Sequence, residues 1–206
     1  MKKTEHYGFD GQYKIHQCCS KRKDKIALRP FVGYCIFMDG YVYATDAHMM
    51  VRASLTKISN LSQEDIDKLQ NKAIRGDLFR KMLSYDIKAI TDTAIECIRE
   101  QDETVLFGLV KVLRKYVNTS INPPCKNEIY TPELDEFFAK YYNTKGYPCD
   151  KIGVSVDYVG RIASAMGAQK VGLFFNEGKD KGIISLKKLA DDFNAVQGLL
   201  MPYEIN

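Results

Sequence analysis

Residues 26–55 read IALRPFVGYCIFMDGYVYATDAHMMVRASL, and in them two runs rich in β-branched and aromatic residues stand on either side of Asp39-Gly40. Asp-Gly between such runs is a strong hairpin signal, because glycine supplies the positive φ that a two-residue turn requires. The stretch is therefore expected to form a hairpin turning at Asp39-Gly40. After it, SNLSQEDIDKLQNK (59–72) offers Ser62 as an N-cap with Asp65 three residues on and Ile66 and Leu69 at helical spacing, which predicts a short surface helix. IRGDLFRKML (74–83) places Leu78, Phe79, Met82 and Leu83 on one face, so an amphipathic helix opens near Asp77 with Arg80 and Lys81 on its solvated side.

Two extended runs are expected next, at about 88–98 and 104–112, joined through the polar REQDE. NPPCKNEIYTP (122–132) stops regular structure, since proline removes a backbone donor and restricts its predecessor. Pro132, Glu133 and Leu134 then open a helix through PELDEFFAKYYNTKG, with Gly146 as its C-cap. The tail reads strand (GVSV), helix (DYVGRIASAMG, Asp157 as N-cap and Gly167 at its end), and strands KVGLFFN, GIISL and VQGLLMPYEI. The expected class is α+β with antiparallel sheets, built from repeated helix-plus-strand units. Residues 123–148 are the natural place for a seam.

The 206 residues suffice for one substantial core or two small ones. With 45% hydrophobic and 27% charged residues, most of the chain is expected to fold. No apolar run approaches the roughly 18 residues of a membrane span, and MKKTEHYGFD has no apolar signal core, so a cytoplasmic protein without a membrane partner is expected. The six cysteines (18, 19, 35, 97, 125 and 149) show no C-x-x-C spacing and read as reduced thiols. Cys18, Cys19 and His16 lack a second ligand cluster, and Asp46 and His48 lack a third ligand, so neither group predicts a metal site. The net charge of +4 permits a polyanionic partner without requiring one.

Four stretches, in order, resemble the bacterial DNA polymerase III beta sliding clamp. YVYATDAHMMVRASL (41–55) is similar to its "ATDGHRLA" strand, and AIRGDLFRKML (73–83) to its strand-into-helix segment. NPPCKNEIY (122–130) sits where the family carries an "F-P-D-Y-x-x-V" loop, and VSVDYVGRIASAMGAQKVGLFF with GLLMPYEI resembles the final repeat with its "V-M-P-M-R" strand. The resemblance covers about residues 26–113 and 152–205, leaving 1–25 and the 134–145 helix without counterpart. It implies a DNA-clamp-like fold with a clamp-like domain at 1–130, a linker helix at 131–150 and a half-domain at 151–206.

What the family does with these segments gives two expected sites. Its cleft for short linear peptides of polymerases and other replication proteins implies a cleft here from Thr45, His48, Met50, Pro124, Ile129, Leu199, Met201, Pro202 and Tyr203. Methionines and an aromatic make an adaptable apolar surface suited to that task. Met49, Met50, Leu200 and Met201 could each equally be strand core, and a lone histidine is more often structural. Ala47 stands where the family has glycine, Met49 where it has arginine, and Glu204 where a basic residue is usual. The second implied site attracts the backbone of double-stranded DNA through helix cations, here Arg80, Lys81, Arg161 and Lys170, which compete with the reading of a solvated helix face. The basic residues at 21–25 and Lys111, Arg114 and Lys115 lack matching support.

Catalysis is not expected. The sequence has no Walker loop, G-x-G-x-x-G, G-x-S-x-G or H-E-x-x-H, and only three histidines. No cofactor follows from it. Two roles remain: a DNA-encircling processivity factor, formed as a homo-oligomer, or a monomeric partner-binding module that keeps the cleft without the ring.

Overall fold

The computed structural model describes residues 6–99, 103–114, 127–142, 153–175, 183–189 and 195–202. At its centre Asp39 and Gly40 hold φ of 52° and 78° and turn β1 (Tyr34–Met38) back onto β2 (Tyr41–Thr45). Both central residues of this turn are left-handed, which is the geometry that matches strand twist. β2 then pairs antiparallel with β3 (Met49–Ser54).

Around this meander the chain adds α1 (Lys23–Leu28) before it, and α2 (Leu55–Ile58), α3 (Gln63–Leu69), β4 (Lys72–Arg75) and α4 (Gly76–Met82) after it. Then come β5 (Asp86–Ile90), β6 (Ala94–Arg99), β7 (Glu103–Gly108), β8 (Val110–Leu113), β9 (Glu128–Tyr130) and α5 (Leu134–Tyr141). The last elements are α6 (Val156–Ala165), β10 (Val171–Phe175), β11 (Ile184–Lys188) and β12 (Val196–Leu200). Tight 3-10 turns occupy Ile15–Cys18 and Pro30–Gly33.

Nine strands form one sheet in the order β10-β11-β12-β3-β2-β1-β4-β8-β9, and β5-β6-β7 form a second. The α+β class is as expected, with one exception to antiparallel pairing among the described strands: β8 and β9 run parallel. The sheet passes without a break from the β1–β3 meander to the tail strands, because β12 pairs with β3.

Side chains alternate across the large sheet. Cys35, Phe37, Val42, Ala44, Met49 and Val51 face a core shared with α4, α6 and the small sheet. Ile36, Met38, Tyr43, Met50 and Leu199 face a second core closed by Leu134 and Phe138 of α5. With both faces covered, the central strands carry apolar residues at successive positions rather than at every second one. Ser62 caps α3 as expected, its side chain accepting from the Asp65 N–H.

Several boundaries differ from the sequence expectation. The run expected at 88–98 is two strands, because Thr91 folds back on itself, its amide and its hydroxyl both donating to the Ala94 carbonyl. The run at 104–112 breaks at Leu109, where β7 leaves the small sheet and β8 joins the large one. GVSV is not a strand; its Ser155 is the N-cap of α6, accepting from the Tyr158 N–H, while Asp157 lies in the first helical turn. Gly167, at φ 58°, ends that helix as read. α5 ends at Tyr141 with Tyr142 extended, short of the expected cap at Gly146, which itself lies outside the described residues.

Candidate functional site

The β2–β3 connection is a built turn. The Thr45 hydroxyl donates to the Met49 carbonyl at 2.7 Å and accepts from the Ala47 N–H at 3.1 Å. Asp46 Oδ1 accepts from the His48 and Met49 amides at 3.1 and 3.2 Å. Its other oxygen takes the Arg161 guanidinium at 3.0 Å, so a carboxylate only 5% exposed is fully paired. Ala47 sits at φ 76°, which explains why glycine is the residue the family pattern prefers there.

β12 lies against this turn. Leu199 pairs with Met50 and Leu200 with Met49, and the Met201 N–H donates to the His48 carbonyl at 2.9 Å. The polymer segments at 45–50 and 199–201 are thereby neighbours. Between them, the Pro132–Leu134 entry to α5 and Phe137, an apolar cavity of about 170 Å³ opens. Thr45, His48, Met50, Leu199 and Met201 all line it. Met201 is 40% exposed while Met50 and Leu199 are buried, so the cavity has an apolar floor and an adaptable rim. The His48 ring stacks on Tyr158 at 5.9 Å and 12°, which ties the rim to α6.

The other expected cleft residues divide. Ile129 is buried on β9 in the core beneath α5 and does not line the cavity, so it supports the floor from below. Pro202 is half-buried and described, but does not line it either. Pro124 and Tyr203 lie outside the described residues.

Sequence reasoning missed the wall given by Arg29, Phe31, Pro132, Leu134, Phe137 and Ile183. For α5 the signal was present: Leu134, Phe137, Phe138 and Tyr141 recur at helical spacing and mark a face that must be covered. That face is pinned by a polar cluster. Asp135 accepts from the Tyr43 hydroxyl and from Arg52, both at 2.8 Å, and Arg52 donates to Gln197 at 2.7 Å while lying 4.5 Å over the Phe138 ring. Burial, then the hydrogen bond to Asp135 and its charge, pushes the Tyr43 phenol well above its ordinary range, so it stays a donor.

The expected DNA-facing cations also divide. Arg80 and Lys81 on α4 and Lys170 beyond α6 are exposed, with no ion-pair partner among the described residues. Arg161 must be withdrawn from that set. Its guanidinium donates to the Gln17 carbonyl at 2.7 Å, the Cys19 carbonyl at 3.0 Å and Asp46 at 3.0 Å, which spends it on holding the N-terminal segment against the β2–β3 turn. The four described cysteines are free and buried, and burial pushes the Cys18 thiol far up. Among the described residues no group of His, Cys, Asp and Glu gathers as a metal site, and no helix is long and apolar enough to cross a membrane.

This arrangement of sheets and helices has the fold of the bacterial DNA polymerase III beta sliding clamps. The beta subunit from Thermotoga maritima superimposes with a TM-score of 0.51 at 11% identity, over 95% of this chain and 62% of that one. The Bacillus subtilis sliding clamp gives 0.51 at 12%, over 98% of this chain and 65% of that one. The likeness is one of fold, and the chain spans less than two thirds of the length of these two structures. No family model and no curated protein matches the sequence.

Proposed function

We propose that this chain is a clamp-fold docking protein that captures short linear peptides of replication partners in the cavity between the β2–β3 turn, β12 and α5. The observation that carries the reading is the pairing of β12 with β3, which sets Thr45, His48 and Met50 beside Leu199 and Met201 on one apolar cavity. At about 170 Å³ the cavity is smaller than the roughly 300–1,000 Å³ of pockets that engulf a small ligand, and suits one or two anchoring apolar side chains of a peptide. In this reading residues 1–130 act as a clamp-like domain and 151–206 as a half-domain that shares its sheet. The protein acts by binding, without catalysis. A labelled clamp-binding peptide titrated against the wild type and a Met201→Ala, Pro202→Ala variant tests it: the variant is expected to bind about tenfold more weakly or worse. Equal affinities would contradict the proposal.

The exposure of Arg80, Lys81 and Lys170 favours a second reading, non-specific attraction of duplex DNA through its phosphates. Its signature is an affinity that falls linearly with salt on logarithmic axes, and a salt-independent affinity would exclude it. Light scattering separates encirclement from simple docking, because a single copy cannot enclose a duplex.

A further inference from the structure

A second and larger concavity, of about 1060 Å³, lies apart from the peptide cavity, among the Ile15–Cys18 turn, α1, α4 and the start of α6. Two of its arginines are already engaged: Arg75 pairs with Asp77 at 3.1 Å, and Arg161 is held by Asp46 and, at 3.7 Å, by Asp157. Lys21, Lys23 and Arg80 line it too, all exposed and all without an ion-pair partner among the described residues. Three like charges around a concave wall repel one another and raise the local concentration of anions. His16 is in the same wall, and its Nδ1 is buried without a hydrogen-bond partner. A buried ring nitrogen without a partner is a cost that the folded chain carries beside these cations. Ile26, Ala27 and Tyr34 give the lining an apolar part as well.

We infer that this cavity binds a small phosphorylated compound carrying a planar ring, a nucleoside phosphate being the simplest. The phosphates sit among Lys21, Lys23 and Arg80, with His16 beside them, and the ring lies against Ile26 and Tyr34. The site has the size of a ligand pocket and combines a few convergent polar groups with an apolar side, as such pockets do. It does not depend on peptide capture, since its lining shares no residue with the peptide cavity, but it draws on Arg80, which the duplex reading also uses.

The test is titration of the full chain with adenosine triphosphate in EDTA, read by calorimetry and by the His16 ring resonances. Saturable one-to-one binding that shifts His16 is expected, weakened about tenfold or more in Lys21→Gln, Arg80→Gln and unchanged in Lys111→Gln. Inorganic triphosphate should bind more weakly than the nucleotide, and adenosine weaker still. Matching thermal melts of the variant and wild type assign any loss to the site, as both replaced side chains are exposed. No saturable binding, no loss in the double variant, or inorganic triphosphate binding as tightly as the nucleotide would overturn the inference. Displacement of the nucleotide by a short DNA duplex at lower concentration would overturn it as well, by making the site part of a backbone-binding surface.

Discussion

Ala47 and His16 carry the two predictions that belong to single residues. Ala47 holds φ 76°, a conformation that costs an L-residue about 1–2 kcal/mol and glycine almost nothing. Ala47→Gly is therefore expected to raise stability by up to about 1 kcal/mol, after the extra freedom of glycine in the unfolded chain is counted. Denaturant melts check this, and a destabilised variant would contradict the turn geometry. His16 is held down to about 4 by burial first, then by the nearby charges of Arg80, Lys21 and Lys14. Unfolding returns it to about 6.5, so between those values the unfolded chain takes up a proton that the folded chain refuses. Stability should thus fall as pH drops from about 6.5 toward 4, and His16→Gln should flatten that slope. An unchanged slope in the variant would place the proton uptake elsewhere. At this scale the sequence was legible where chemistry is local. Asp39-Gly40 and Ser62 announce themselves because their partners lie within three residues. Arg161 did not, since its acceptors stand at Gln17, Cys19 and Asp46, more than a hundred positions away.

The elements are held in register by close approach and by polar pins. Gly198 on β12 lets α6 lie directly on the sheet: a Cβ there would come within 2.6 Å of Ile162 Cγ2 and 3.1 Å of Met166 Cε. Gly198→Ala should cost about 1–3 kcal/mol through overpacking, measured as a lowered melting temperature. A neutral effect would mean that α6 can move off without loss. On the other face Asp135 pins α5 by accepting from Tyr43 and Arg52. Asp135→Ala should destabilise by about 1.5–3 kcal/mol, because Arg52, only 16% exposed, loses its charged partner. Peptide affinity should fall with it, as Leu134 and Phe137 leave the cavity wall. Loss of stability with unchanged affinity would detach α5 from the site. The helical period of α5 was readable, but its destination was not. Amphipathicity says that a face is covered, whereas which strands cover it depends on the whole sheet. The cut of 88–98 into two strands was hidden for a related reason, since a tight turn built on Thr91 lacks the Asp-Gly signature that marks the central hairpin.

Over the whole molecule, one sheet of nine strands joins distant parts of the polymer, and the cavity exists only because β12 closes onto β3. The motifs at 41–55 and 198–205 resembled clamp segments individually, and the fold brings the described residues 45–50 and 199–201 of the two together on adjacent strands. Of the seven expected cleft residues that are described, five line the cavity for that reason. The α5 wall has no counterpart in the motif pattern, and Arg29 and Phe31, though inside a matching stretch, were missed because only the folded sheet brings them to the cavity. The most direct measurement of the central claim is a methyl-NMR titration of the methionine-labelled chain with a clamp-binding peptide. The peptide should shift Met50 and Met201, which line the cavity, and leave Met82 and Met166, which pack in the core shared with α4 and α6, in place. Shifts centred on Met82 or Met166, or none at saturating peptide, would contradict the assignment of this cavity as the docking site.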